Sequence, residues 1–359
     1  MGFLPNVRKR WAMRTFDYRH LPHNLFDGKA GDANVRLYED RGKLEALKAT
    51  HAEALKAMRA QAHFDNVDAS TRIEGLYIGA DRTKALLAGV EPEDETEAQV
   101  VGYSKALSLV EERTDELDLS TVSALAFFET LYAHRNLGRK SRYRKKDYMY
   151  VQVDGHMQAM PVSPIAAFET PLVFGGACDS LSDAFSADAC SPLILNAVFA
   201  VDFLCIRPFE EGNGRISRLF ADLLLMKAGF DVARYVSIDR IIEESGMEYY
   251  NALNSCVEGW DRSRNDYTPY VRYWLDVVHG AYQKLFGILE AADASHALGK
   301  SERVRQFVRD ADGPVRKRDL REAFPDISEA TVENALGAMV KAGEVEKTGA
   351  GRSTAYVWK

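Results

Sequence analysis

Two apolar helical segments, joined by a short turn rich in proline and glycine, most constrain the fold of this chain. The first, 191–205, begins with Ser191 as the expected N-cap and Pro192 at the first helical position, and it is apolar on almost every side. The second, 213–228, carries one apolar stripe and ends before Gly229. We therefore expect a buried central helix, a tight turn, and a second helix on the same core.

The rest of the chain shows few strand patterns. Residues 38–110 are rich in Ala, Leu, Glu and Lys at helical spacing, and 44–62 is the clearest predicted helix among them. The one convincing hairpin pairs 148–153 with 156–160 around the turn dipeptide at 154–155. The predicted fold class is mainly α with a single β-hairpin in the main part of the chain.

The character of the sequence changes after a boundary expected within 294–300. Three short helical patterns, 301–310, 316–324 and 328–341, precede two β-like segments, an order that looks like a winged helix-turn-helix. Residues 300–359 contain 12 Lys and Arg against 10 Asp and Glu, a weak charge excess for nucleic-acid binding. DNA contact, protein contact and self-association as a homodimer all remain open for this segment.

Composition excludes several classes of protein. Hydrophobic residues make up 46% and charged residues 28%, with no long apolar run, so we expect neither a disordered chain nor membrane contact. The basic N-terminal residues are not followed by an apolar stretch, as a secretory signal would require. The four cysteines show no paired CxxC spacing. A reducing cytoplasm is therefore the expected compartment.

The turn between the two apolar helices, 207–218, has the composition of a phosphate-binding loop. Pro208 ends the first helix, and Gly212 and Gly214 on either side of Asn213 allow positive φ and close backbone approach. Several backbone N–H groups could then gather at a helix N-terminus, where partial positive charge favours an anion such as a diphosphate.

Charged side chains in this loop extend the same interpretation. Arg215 and Arg218 lie one helical turn apart and could both donate to phosphate oxygens. Glu211 beside an anion suggests a bridging Mg²⁺. The P-loop is excluded because Lys-Ser/Thr does not follow the second glycine, and the dinucleotide fingerprint because no strand precedes. A glycine-rich interhelical turn with surface arginines is the alternative for the Gly-Asn-Gly triplet alone.

The full run resembles the signature of the Fic family, His-Pro-Phe-x-Asp/Glu-Gly-Asn-Gly-Arg-x-x-Arg. The resemblance implies binding of ATP with Mg²⁺ at Glu211 and transfer of AMP to a protein hydroxyl. It also implies that Asn213 and Arg215 act in catalysis. The matching positions are Pro208, Phe209, Glu211, Gly212, Asn213, Gly214, Arg215 and Arg218. The implied nucleotide-binding residues are Gly212, Asn213, Gly214, Arg215 and Arg218.

The match fails at Arg207, where the family has the histidine that deprotonates the target hydroxyl. A guanidinium stays protonated in proteins and cannot accept that proton. Loss of a general base typically slows a reaction by about 10²–10⁴-fold. Arg207 could be a substitution in a former enzyme, the mark of a nucleotide-binding pseudoenzyme, or a further phosphate contact. We expect ATP binding with AMP transfer lost or very slow; the alternative is a nucleotide-sensing regulator that binds DNA or protein.

A second motif upstream, 70–75, resembles the inhibitory Ser/Thr-x-x-x-Glu-Gly/Asn motif of Fic proteins at Ser70, Glu74 and Gly75. The resemblance implies that Glu74 pairs with Arg218 and denies the ATP γ-phosphate its contact. Two alternatives remain: a helix-capping box, or a glutamate that aims water for removal of AMP.

The resemblance also predicts the role of the hairpin and the division of the chain into parts. The hairpin stands where Fic proteins carry a flap that holds a target segment as an added strand, so the expected partner is a target protein, which could be the chain itself. A hairpin that only covers the core is the alternative. The predicted parts are an N-terminal helical region at 1–110 with the inhibitory motif at 70–75, a Fic helical core at 111–295 with the flap at 148–160 and the loop at 207–218, and a winged helix-turn-helix at 296–359.

Overall fold

The chain divides into two compact units, Met1–Leu285 and Phe286–Lys359. The structure is a computed structural model that describes residues 14–135, 142–153, 156–161, 163, 165–297, 299–349 and 354–359. None of the described helices combines the length and the apolar character needed to cross a bilayer.

Helices dominate the first unit, which confirms the predicted mainly α fold. Its two strands pair with each other in an antiparallel hairpin, at the place predicted for them. The strands are β1 Tyr148–Val153 and β2 His156–Pro161. The helices are α1 Gly28–Leu47, α2 Ala52–Ile73, α3 Ala80–Leu87, α4 Glu95–Glu112, α5 Thr121–Leu131, α6 Thr170–Ser186, α7 Pro192–Ile206, α8 Asn213–Lys227, α9 Ile238–Glu244 and α10 Met247–Ser255. Helix α11, Thr268–Ala297, begins in this unit and ends in the second.

Helix α7 forms the centre of this unit, as its apolar sequence predicts. Every residue of α7 except Pro192 and Leu204 is buried. Helix α8 packs beside it, and Asn196 of α7 donates a 2.9 Å hydrogen bond to the carbonyl of Ala221. The buried Asp202 accepts hydrogen bonds from three aromatic side chains, and burial raises the pKa of this carboxyl. The donors are Tyr18, Trp260 and Tyr267.

The prediction of one continuous helix over 44–62 is wrong. Helix α1 ends at Leu47 and α2 begins at Ala52. The hydroxyl of Thr50 donates to the carbonyl of Leu47 at 3.1 Å, and Lys48 pairs with Asp231 at 2.6 Å. The apolar residues keep helical spacing through the break, so the sequence does not mark it. The break is instead accompanied by the hydrogen bond of Thr50 and the ion pair of Lys48.

The second unit has its own apolar core and a three-stranded antiparallel sheet in the order β3-β5-β4. The sequence does not predict strand β3, because its two residues are too few to show an alternating pattern. The elements are α12 Lys300–Asp310, β3 Val315–Arg316, α13 Lys317–Ala323, α14 Glu329–Ala342, β4 Val345–Thr348 and β5 Ala355–Trp358.

Candidate active site

A cavity of about 870 Å³ lies between the end of α2, the loop at 207–214 and helix α10. Charged side chains from the loop and from both neighbouring helices line it, including Glu74, Arg207, Glu211 and Arg218. The two sequence motifs, far apart along the chain, therefore meet at one site.

The loop is held in shape by Asn213. Its side-chain oxygen accepts from the N–H of Phe209 at 3.1 Å, and its side-chain nitrogen donates to the carbonyl of Phe209 at 2.9 Å. Arg207 and Gly212, the residues at the two ends of the turn, both have left-handed backbones, with φ of 46° and 73°. The side chain of Asn213 thus closes the loop, and Asn213 is also one of the residues that line the cavity.

The two glycines of the loop serve different purposes. Gly212 has the positive φ expected from the sequence. Gly214 lies inside helix α8, so the expectation of positive φ there is wrong. A Cβ atom at Gly214 would lie 2.4 Å from Oε1 of Glu74, too close for any real contact. The absence of a side chain at Gly214 thus lets the carboxylate of Glu74 approach the backbone closely.

Glu74 pairs with Arg218 across Gly214. Nη2 of Arg218 donates to Oε1 of Glu74 at 3.0 Å, and the exposed fractions of the two side chains are 4% and 25%. Thr71 lies near the end of α2, where its hydroxyl donates to the carbonyl of Val67 at 2.6 Å. The capping-box alternative is wrong because Glu74 follows the helix as its C-cap.

Arg218 has a second, deeper set of partners, Ser70 of the upstream motif and Asp239, which no sequence motif marks. Its Nε lies 3.3 Å from Oδ2 of Asp239, and Nη2 donates to the hydroxyl of Ser70 at 2.9 Å. Asp239 also accepts from the hydroxyl of Tyr103 at 2.8 Å. Burial alone would lower the pKa of Arg218, but the charges of Asp239 and Glu74 raise it well above its usual value.

Arg215 points away from the cavity. Its Nη2 donates to Gln99 at 2.8 Å and to the hydroxyl of Tyr132 at 2.9 Å, and the side chain is buried. The two motif arginines thus have different surroundings. Arg218 lines the cavity, whereas Arg215 is buried against Gln99 and Tyr132.

Glu211 lines the cavity but already has a cationic partner. Both of its carboxylate oxygens accept from Arg135, the second at 3.3 Å. Among the described residues, no group of three or more His, Cys, Asp or Glu is arranged to hold a metal ion. A cation at Glu211 would therefore depend on ligand oxygens and on release of Arg135.

Arg144 joins the base of the hairpin to the loop. It is buried, and its guanidinium donates to the carbonyls of Arg207 at 2.9 Å, Lys146 at 3.0 Å and Ile165. Its own N–H donates to the carbonyl of Pro208 at 2.9 Å. Arg144 belongs to a run of basic residues at 139–146, a pattern that usually forms a solvated surface, but Arg144 itself is buried. Residues 139–141 lie outside the described part of the chain.

Helix α10 forms one wall of the cavity, although nothing in its sequence predicts a place in the site. Tyr249 and Tyr250 line it, and the hydroxyl of Tyr250 donates to the carbonyl of Ile73 at 3.1 Å. The thiol of Cys205 also lines the cavity, and burial raises its pKa to about 12, so it remains protonated at neutral pH. No motif marks α10, because only the tertiary fold brings it to the loop.

Comparison with known proteins agrees with this geometry. The Fic/DOC family model matches residues 128–225, a span that contains the hairpin, α7, the loop and most of α8. The chain contains a Fic domain. A protein adenylyltransferase, fic-1 of Caenorhabditis elegans, is 25% identical over 251 residues, which cover 67% of this chain and 45% of that relative. The chain thus spans about half the length of the curated relatives that it matches.

Solved structures show the same fold around the Fic domain. A Fic family protein from Desulfovibrio desulfuricans has a TM-score of 0.53 and 21% identity, covering 91% of this chain and 96% of its own. Fic-1 from C. elegans has a TM-score of 0.55 and 23% identity, covering 73% of each chain. These likenesses show that the fold around the matched span is the one seen in solved Fic proteins.

Proposed function

We propose that this Fic domain binds ATP in the 870 Å³ cavity and is autoinhibited by Glu74, and that Arg207 makes AMP transfer to protein hydroxyls very slow. The observation that carries the proposal is the 3.0 Å ion pair between Glu74 and Arg218. While this pair stands, the cavity-facing motif arginine is already neutralised and cannot take a terminal phosphate.

Nucleotide phosphates would lie at the start of α8, over the backbone of Gly212, Asn213 and Gly214. A helix N-terminus and a glycine-rich turn favour anions by their backbone N–H groups and partial charge. Mg²⁺ commonly uses one or two carboxylates with phosphate oxygens and water, so Glu211 fits as its protein ligand once Arg135 releases the carboxylate. The ion would supply charge neutralisation for the triphosphate.

A target segment would dock on the hairpin. Strands β1 and β2 pair only with each other among the described residues, so a further strand can add to either outer edge. Because Arg144 binds carbonyls on both sides of the hairpin and in the loop, a segment held there would be kept at a fixed place relative to Arg207.

For the second unit we propose a winged helix-turn-helix with α14 as its exposed helix. The order of three helices and a three-stranded sheet supports this. Lys317 is paired with Glu333 of α14, and α14 begins with Glu329 in its first turn. Negative charge on this helix favours contact with protein over contact with DNA.

Removal of the inhibitory carboxylate tests the proposal directly. Glu74→Gly should tighten ATP binding about tenfold, because Arg218 loses one charge-assisted partner and can turn to the nucleotide. Isothermal titration with ATP and Mg²⁺ measures the change in Kd.

The matched control is Glu112→Gly, which removes an exposed glutamate from the end of α4, away from the cavity. It should leave the Kd unchanged. Glu74→Gln, which keeps the shape and removes the charge, should give an intermediate Kd. Equal Kd values for the unaltered chain and Glu74→Gly would contradict autoinhibition by this pair.

A further inference from the structure

Arg207 differs from the other charged groups of the cavity in having no protein partner. Arg218 is paired with Glu74, and Glu211 with Arg135. Among the described residues no side chain or carbonyl accepts from the guanidinium of Arg207, and its Nε is buried without a hydrogen bond. Buried donors normally have acceptors, so this one is free for a ligand oxygen.

The backbone of Arg207 is fixed from both sides. Its N–H donates to the carbonyl of Phe203 at 2.9 Å, and its carbonyl accepts from Arg144 at 2.9 Å. A left-handed backbone at a residue other than glycine is uncommon and is often found at functional sites. Arg207 therefore lines the cavity from a backbone that is held at both its N–H and its carbonyl.

A second arginine, Arg144, lies close enough to Arg207 for their positive charges to interact. Burial lowers the pKa of Arg144, Asp147 and Glu210 raise it, and the positive charge of Arg207 lowers it further. The carboxylate of Glu210 accepts from the N–H of Lys145 at 2.7 Å and is occupied there. An incoming oxyanion would thus meet the guanidinium of Arg207, which has no partner among the described residues, close to the buried guanidinium of Arg144.

We propose that the acceptor in this site is an oxyanion, a phosphate or a carboxylate, which Arg207 binds and which attacks the α-phosphorus of ATP without a base. The inference rests on the proposed ATP site and names its acceptor class. Guanidinium binds carboxylate and phosphate through two parallel hydrogen bonds, which orient the acceptor as well as neutralise it.

The reaction balances without a proton acceptor. An acceptor oxygen that is already anionic forms a new bond to the α-phosphorus, the bond from that phosphorus to the bridging oxygen of the β-phosphate breaks, and pyrophosphate leaves. A phosphate acceptor yields a diphosphate, and a carboxylate yields an acyl adenylate. A hydroxyl acceptor must lose a proton, and Arg207 cannot take it.

The test uses the full chain with Glu74→Gly and three acceptor probes. Labelled inorganic phosphate reports label in the β-position of ADP, acetate with hydroxylamine reports acetohydroxamate, and N-acetylserine amide reports labelled AMP from α-labelled ATP. We expect at least one anionic probe to react about tenfold or more faster than the hydroxyl. Arg207→Gln should lower that rate about ten- to hundredfold, as expected for loss of a charge-assisted contact, with the Kd for ATP unchanged.

The outcomes separate this inference from the proposed function. ATP binding without reaction of either anionic probe overturns the acceptor class and leaves the ATP site standing. A weaker Kd for ATP in Arg207→Gln, with no anionic reaction in either chain, assigns Arg207 to the nucleotide and overturns the inference. Absence of ATP binding overturns both. Arg207→His should reverse the preference toward the hydroxyl probe.

Discussion

Histidine at position 207 is expected to raise AMP transfer to a protein hydroxyl by about 10²–10⁴-fold, the usual contribution of a general base. The change is Arg207→His in the Glu74→Gly background, so that inhibition does not mask the gain. The loop around position 207 is already shaped by Asn213 and Arg144. Autoadenylylation with α-labelled ATP and Mg²⁺ measures the rate.

Arg207→Lys is the matched control, since it keeps a positive charge at the same backbone position without supplying an imidazole base. It should remain as slow as the unaltered chain toward hydroxyls. If Arg207→His binds ATP and transfers no label, the scaffold lacks more than a base, and the adenylyltransferase proposal fails.

Loss of Asp239 should destabilise the first unit by about 3–5 kcal/mol, the range for breaking a buried ion pair from one side. Arg218 is 4% exposed and Asp239 is 1% exposed, so water cannot replace the missing carboxylate. Tyr103 would lose its acceptor as well. Urea unfolding of Asp239→Ala, followed by circular dichroism, measures the free energy of unfolding.

Asp276→Ala removes an exposed carboxylate from α11 and should change the free energy of unfolding by no more than about 0.5 kcal/mol. Asp239→Asn keeps the shape at the site and separates the loss of charge from the loss of volume. Similar stability of Asp239→Ala and Asp276→Ala would show that Arg218 does not depend on its buried partner.

Local sequence patterns predict the helix ends and the hairpin, because each depends on residues that are close together in the chain. The ends of α7 and α8 follow from Pro192, Pro208 and Gly229, and the hairpin follows from alternation around a turn dipeptide. The turn between α7 and α8 follows from Pro208 and Gly212, whereas anion binding by the loop at 207–218 stays a prediction from its glycines and arginines.

The missed features depend on contacts between distant segments. Arg215 and Arg218 lie on one helix with similar surroundings in sequence, yet Gln99 and Tyr132 hold the first, while Asp239 and Glu74 hold the second. The burial of Arg144 and the role of α10 arise in the same way. Neither spacing nor composition records which side chain a distant helix brings near.

The autoinhibition proposed above depends in part on the loop beside Glu74. Position 214 has no side chain, and a Cβ atom there would lie 2.4 Å from Oε1 of Glu74, so the carboxylate would have to shift. In the proposed function an approaching phosphate uses the same bare backbone. A side chain at position 214 would therefore act on the contact with Glu74 and on nucleotide access together.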